Sequence, residues 1–294
     1  MGEPIYSPLK KGYDEFHCLM GGNAMPFWKK NSFYTVLLLV CLALLGIFTF
    51  TDLAISKSLY GNFPAFSHFF EVYGFFPSCL LVCGMSAIAF CTNNHTKRTI
   101  PRLLGYLFFP LCCAGGFLFA EFILYSQVWK IGYHPLFLIL FAFLLTALLF
   151  FAVSKFPAGR LAVYRKGALA ALCSLILILL CVELLKNIFG RVRFRDMAEP
   201  FTQFTQWYVI NGPTSHKSFP SGHTANAAAI LCLTLTAQKK RTRQLIWGLG
   251  ILYTIAMAVS RILAGAHFAS DVLAGGLIGV FCVLLSRKLF RLPS

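Results

Sequence analysis

From residue 33 to the C-terminus, apolar stretches of about twenty residues alternate with short polar and charged segments. A helix crosses the hydrocarbon layer of a bilayer in about 20 residues. The pattern predicts about eight membrane-spanning helices, over residues 33–51, 72–91, 103–125, 135–153, 167–186, 221–237, 245–263 and 270–287. Gly74 and Pro77 interrupt the second, and the sixth is short. No internal repeat or low-complexity linker divides the chain. The expected organisation is a tail over residues 1–30 followed by one all-α, polytopic transmembrane bundle over 31–294. About 30 mixed polar residues precede the first apolar run and no small-residue cleavage site follows it, so the first helix is expected to stay in the mature protein.

Composition agrees with this pattern. The chain is 58% apolar and 12% charged, where a soluble domain carries about 25% charged residues. Its formal charge is +16, which alone would fit nucleic acid, a membrane surface or an anionic substrate. No basic stretch is interleaved with aromatics in a soluble segment, so nucleic acid is excluded as a partner. The 11 cysteines show neither zinc-ligand nor disulfide spacing, and they read as small packing residues.

The positions of the cations predict an orientation. Lys10, Lys11, Lys29, Lys30, Lys97, Arg98, Arg102, Lys155, Arg160, Arg165, Lys166, Lys239, Lys240, Arg241, Arg243, Arg287, Lys288 and Arg291 all fall on one side of an eight-span arrangement. By the positive-inside rule that side is the cytoplasm, with both termini inside. Lys57, Lys130, Lys186, Arg191, Arg193, Arg195, Lys217 and Arg261 fall on the other side, against the bias. An anionic ligand there is the natural reason.

Three segments converge on that outer side. One runs from Lys186 to Arg193 at the end of the fifth span. The second is Ser218-Phe-Pro-Ser221-Gly222-His223, which opens the sixth. The third, Ser260 to Asp271, joins the seventh and eighth. Lys186, Arg193 and Arg261 offer positive charge and N–H donors, and the arginine fork matches phosphate oxygens. Ser221 and Gly222 begin a helix, whose free N–H groups make an anion site. His267 and Asp271 are four residues apart and would share a helix face, the carboxylate fixing the imidazole tautomer. The chemistry this set suits is phosphoryl transfer. His267 attacks phosphorus, Asp271 orients it, and His223 protonates the leaving oxygen and then activates water. No metal or other cofactor is needed.

These segments resemble the tripartite signature of the type 2 phosphatidic acid phosphatase (PAP2) superfamily, K-x6-R-P, P-S-G-H and S-R-x5-H-x3-D, over about residues 186–271. The resemblance implies that His267 is the nucleophile, His223 the acid, and Lys186, Arg193, Ser221, Gly222 and Arg261 the phosphate contacts. It implies a six-helix core over about residues 103–288, with the first two spans as additions. Phe194 stands where the signature has proline; Arg191 and Arg195 lie close enough to substitute for Arg193. The implied activity is hydrolysis of a lipid phosphate or diphosphate, such as a polyprenyl diphosphate or phosphatidic acid, through a phosphohistidine. The expected setting is a bacterial inner membrane, with the site facing outward and membrane lipids as neighbours. The same residues would serve a lipid phosphotransferase, and a non-catalytic transporter of anionic lipid is the rival from another class.

Further expectations concern residues outside the motifs. Glu183, one turn before Lys186, should form an ion pair with it, whereas Glu121 has no evident partner. Phe201, Phe204, Trp207 and Tyr208 recur at helical spacing within residues 196–220, which predicts an amphipathic interfacial segment, either a lipid-facing gate or an anchor.

Overall fold

The computed structural model describes residues 27–129 and 134–293, with side chains from residue 35 onward. Most of the 1–30 tail, Lys10, Lys11, Cys18, Lys130 and the side chains of Lys29 and Lys30 lie outside the described residues. The helices are α1 (Phe27–Leu59), α2 (Pro64–Tyr73), α3 (Phe76–Cys91), α4 (Thr99–Ile123), α5 (Pro135–Ser154), α6 (Ala158–Phe189), α7 (Gly222–Ala228), α8 (Lys240–Leu263) and α9 (Ala269–Leu289). No strand occurs among the described residues. The chain divides within α1 into units Met1–Leu44 and Leu45–Ser294, and the second holds the bundle.

Among the described residues seven helical stretches are long and apolar enough to cross a membrane, so the protein is an all-α, multi-pass membrane protein. The second predicted span starts earlier than expected, at Pro64, and breaks at Gly74 into α2 and α3. The sixth is the exception in length, with α7 continuing as a 3₁₀ helix over Ala229–Leu235. The tighter 3₁₀ winding rises about 2.0 Å per residue against about 1.5 Å in an α-helix, so the element extends about 24 Å. Its alanines explain its place at the centre. Ala225, Ala227, Ala228 and Ala229 are buried, and small side chains let helix backbones approach where lipid offers no hydrophobic drive to associate.

Around this element pack α6, α8 and α9, while α3 packs on α4 and α6, α5 on α4, and α2 on α8. Leu81, Met85, Phe109, Leu172, Leu231 and Val283 form the main buried cluster. At one end of the bundle Arg165 donates to Thr96, and Arg243 to the Pro293 carbonyl at 2.9 Å. The candidate site lies at the other end.

That end is shaped by Gly190, the C-cap of α6, at φ 48°. A Cβ there would lie 2.2 Å from the Gly212 carbonyl oxygen. Only glycine takes this left-handed turn against so close a neighbour. The turn sends residues 191–221 back across the end of the bundle. This segment departs from expectation, because beyond a 3₁₀ turn at Phe194–Asp196 it contains no helix. Its aromatics are drawn inward to packing partners rather than arrayed along one helical face. Phe201 stacks on Phe194 at 5.2 Å, Phe204 meets Phe268 edge-on at 5.3 Å, and Trp207 Nε1 donates to Thr49 Oγ1 at 2.9 Å. Packing explains these three residues without a gate; Tyr208 stays exposed.

Candidate active site

The structure gathers the three sequence segments at the end of the bundle where α6 and α8 finish and α7 and α9 begin. Ser221 caps α7, accepting from the Thr224 N–H at 3.3 Å, while its own N–H donates to the Asp271 carbonyl at 2.9 Å. Gly222 follows, and Lys186 Nζ stands 3.0 Å from where a Cβ would be. The ammonium therefore sits directly over the start of α7. Lys186 also pairs with Glu183 at 3.3 Å, as expected, and Lys217 joins the same carboxylate at 3.5 Å.

His223, on the first turn of α7, packs against the Phe75 ring at 4.3 Å between centroids. Its neighbours include the cations Arg261 and Lys186 and the His267 ring. His267 lies in the turn between α8 and α9, is 4% exposed, and has Asp271, Arg193 and Arg261 as charged neighbours. All the sequence-predicted site residues are thus in one place.

Two contacts differ from expectation. Asp271 Oδ2 lies 3.8 Å from His267 Nδ1, beyond hydrogen-bond length. Nδ1 instead meets the Ser218 carbonyl at 2.6 Å. A carbonyl only accepts, so Nδ1 carries the proton and Nε2 keeps a free lone pair. The reason is local. His267 precedes α9, whose N-cap Phe268 is extended at ψ 167°, so the helical i,i+4 geometry does not apply. Asp271 instead receives the Ser218 hydroxyl at 2.6 Å, the Phe268 N–H at 2.9 Å and Arg191 Nη1 at 2.6 Å. With its carbonyl on Ser221, it fastens the His223 and His267 segments together.

The second difference concerns the arginines. Arg191 is not a spare phosphate ligand: it is 1% exposed and committed to Asp52, Asp271, Ser270 and the Thr205 carbonyl. Arg195 is exposed and pairs with Glu71 at 3.2 Å. Phe194 is buried against Tyr60, Phe201 and Phe268, so an aromatic anchor occupies the position of the signature proline.

Arg193 and Arg261 have donors to spare. Arg261 is fully buried, with Nη2 3.4 Å from the Ser67 carbonyl and 3.6 Å from Glu71. Its Nε and Nη1, and Nε of Arg193, are buried without a hydrogen-bond partner. Buried guanidinium donors left unmatched are costly, and an anion would satisfy them. Burial also holds the His267 imidazole below its usual pKa, which favours the neutral ring.

Sequence reasoning passed over three groups here. Ser218 carries no titratable group, and only its position two residues before Pro220 marks it. Asp52 and Glu71, in α1 and α2, belong to the elements that seemed to be additions. The available signal was an acid near the end of an apolar run, which is expensive unless paired. Glu121 is buried, and neither of its carboxylate oxygens has a hydrogen-bond partner among the described residues.

The fold and site define a multi-pass helical membrane protein with two histidines and a cluster of cations at one end of the bundle. Residues 167–292 match the model of the PAP2 superfamily. It is 28% identical over 126 residues to an undecaprenyl-diphosphatase of Sulfolobus acidocaldarius, covering 42% of this chain and 56% of that protein. A lipid A 1-phosphatase of Rhizobium johnstonii is 30% identical over 112 residues, covering 38% of this chain and 43% of the relative. A lipid A 4'-phosphatase of Bacteroides thetaiotaomicron is 27% identical over 103 residues, covering 35% and 44%. The chain thus spans about half the length of these curated relatives. No solved structure matches it significantly.

Proposed function

We propose that this protein hydrolyses a phosphate or diphosphate group of a membrane lipid through a phosphohistidine at His267, on the outer face of the membrane. One observation carries the reading: unmatched, buried guanidinium donors of Arg261 and Arg193 beside a histidine whose Nε2 lone pair is free. The named activities of the three relatives, all on lipid phosphates or diphosphates, support it.

In the first step Nε2 of His267 forms a bond to phosphorus as the bond to the leaving oxygen breaks. His223 gives that oxygen its proton. The ring gains positive charge, and the hydrogen bond that Nδ1–H donates to the Ser218 carbonyl helps to stabilise it. In the second step water attacks phosphorus and passes a proton to His223. The nitrogen–phosphorus bond then breaks, and its electron pair returns to Nε2. Arg261, Arg193, Lys186 and the N–H groups at Gly222 hold the equatorial oxygens, at about 3–4 kcal/mol per well-placed donor.

The test is phosphate release by the detergent-purified protein from a polyprenyl diphosphate, phosphatidic acid and a lipid A phosphate, with and without chelator. His267→Ala should abolish release and the acid-labile phosphoenzyme formed by wild type, and chelator should change nothing. Adding lipid acceptors separates a hydrolase from a phosphotransferase. Labelling of a Lys217→Cys variant by a membrane-impermeant thiol reagent in cells tests the outward orientation. A wild type that binds these lipids but releases no phosphate would favour the transporter.

A further inference from the structure

The PAP2-matched region begins at residue 167, yet the site's charge balance involves α1. Asp52, in the last two turns of α1, is fully buried. Its Oδ2 accepts from Arg191 Nη2 at 3.0 Å and from the Ser270 hydroxyl, and its Oδ1 from the Ser270 N–H at 3.0 Å. On its other side the same guanidinium donates to Asp271 Oδ1 at 2.6 Å. The Phe268 ring covers Arg191 at 4.1 Å, which keeps water away from it. Arg191 thus bridges two carboxylates, one from α1 and one from α9.

The charges count as follows. Arg191 with Asp271 alone would be a neutral pair, and Asp271 would have little negative charge left to present to His267, 3.8 Å away. With Asp52 added, two carboxylates share one guanidinium, and the cluster carries one net negative charge beside the imidazole. Arg193 and Arg261, which also face His267, are cations. They oppose positive charge on the ring, so the acidic cluster is what offsets them. Other contacts seat α1 on the same spot. Leu53 packs on the Phe194–Met197–Phe268 cluster, Tyr60 meets Phe194, and Lys57 lies over Phe201.

We propose that Asp52 is a positioning residue for the reaction. By drawing on the charge of Arg191 it leaves Asp271 anionic enough to stabilise the cationic His267 ring formed on attack at phosphorus. The first helix is then part of the catalytic apparatus rather than an appendage. This rests on the proposed phosphohistidine chemistry.

The experiment is a double-mutant cycle on the full chain in detergent, with farnesyl diphosphate and dioctanoyl phosphatidic acid as substrates. Asp52→Asn should lower kcat about tenfold to hundredfold, the range reached by coupling between neighbouring charged groups, with KM within about twofold. Against an Asp271→Asn background the same change should cost under about threefold, because the group it acts through is gone. Should Asp52→Asn fail to fold, Asp52→Asn with Arg191→Gln replaces it, since that pair again leaves one negative charge and no unmatched cation. Its kcat should lie within about tenfold of wild type. A wild-type kcat in Asp52→Asn, losses that multiply in full with Asp271→Asn, or a paired variant as slow as Asp271→Asn overturns the inference. A wild type that releases no phosphate from either substrate removes the proposed function itself, a separate outcome.

Discussion

Replacing Arg261 with lysine keeps the positive charge and discards the fork. The guanidinium now spreads its donors in more than one direction, with Nη2 on the Ser67 carbonyl and Glu71, and Nε and Nη1 buried without a hydrogen-bond partner. A single ammonium on a shorter reach can serve one direction only. Losing one aimed donor from a transition-state oxygen costs about 2.7–4 kcal/mol, or about 10²–10³ in kcat. Arg195→Lys is the matched control, because that side chain is exposed and its 3.2 Å pair with Glu71 is screened by water. Such surface pairs are worth under about 1 kcal/mol, so its loss should stay below about fivefold. Initial rates of phosphate release over a range of lipid concentrations give kcat and KM for both variants. If Arg261→Lys keeps kcat/KM within about threefold of wild type, or Arg195→Lys falls as far, the phosphate-holding role of Arg261 is wrong.

His267 must be neutral to attack, and burial depresses its pKa below 6.5. Activity should therefore persist below pH 6.5 and fall only as pH drops through that lower value; an acid limb in log kcat centred above 6.5 would contradict this. His223→Gln should slow lipid turnover about 10²–10⁴-fold and slow the pre-steady-state burst of p-nitrophenol from its phosphate ester far less, since that leaving group needs no proton and the burst precedes the attack of water; equal losses in the two phosphoenzyme-forming steps would count against the acid role. Phe194→Ala empties a buried aromatic site, so it should cost about 3–5 kcal/mol of stability. Thermal unfolding in detergent checks it, and an unchanged midpoint would refute the anchor.

The helices were legible because apolar periods of membrane length admit few other folds. The site residues were legible because the order of spans forces the ends of α6 and α8 and the starts of α7 and α9 onto one face. What escaped was pairing across the bundle. Arg191, Arg193 and Arg195 look alike in sequence, and only burial separates the one clamped by Asp52 and Asp271 from the one with an unmatched donor and the one in an exposed surface pair. The His267–Asp271 spacing suggested a direct bond, but that inference assumed a helix that begins after the histidine. Residues 196–220 carry a helical rhythm of aromatics, yet the packing of Phe201, Phe204 and Trp207 on distant partners overrides it. Local periodicity is a weak guide where tertiary contacts take every large side chain.

The four-way grip of Arg191 also bears on how the polypeptide is made. Asp52 leaves the ribosome well before Arg191, and Ser270 and Asp271 follow only with α9. Until that helix inserts, opposite charges wait at the edge of the lipid with their bonding incomplete, a state that membranes tolerate poorly. A nascent chain halted before residue 269 leaves Arg191 and Asp52 without their Ser270 and Asp271 partners. The junction closes only once α9 has met α1 and the residues that follow α6.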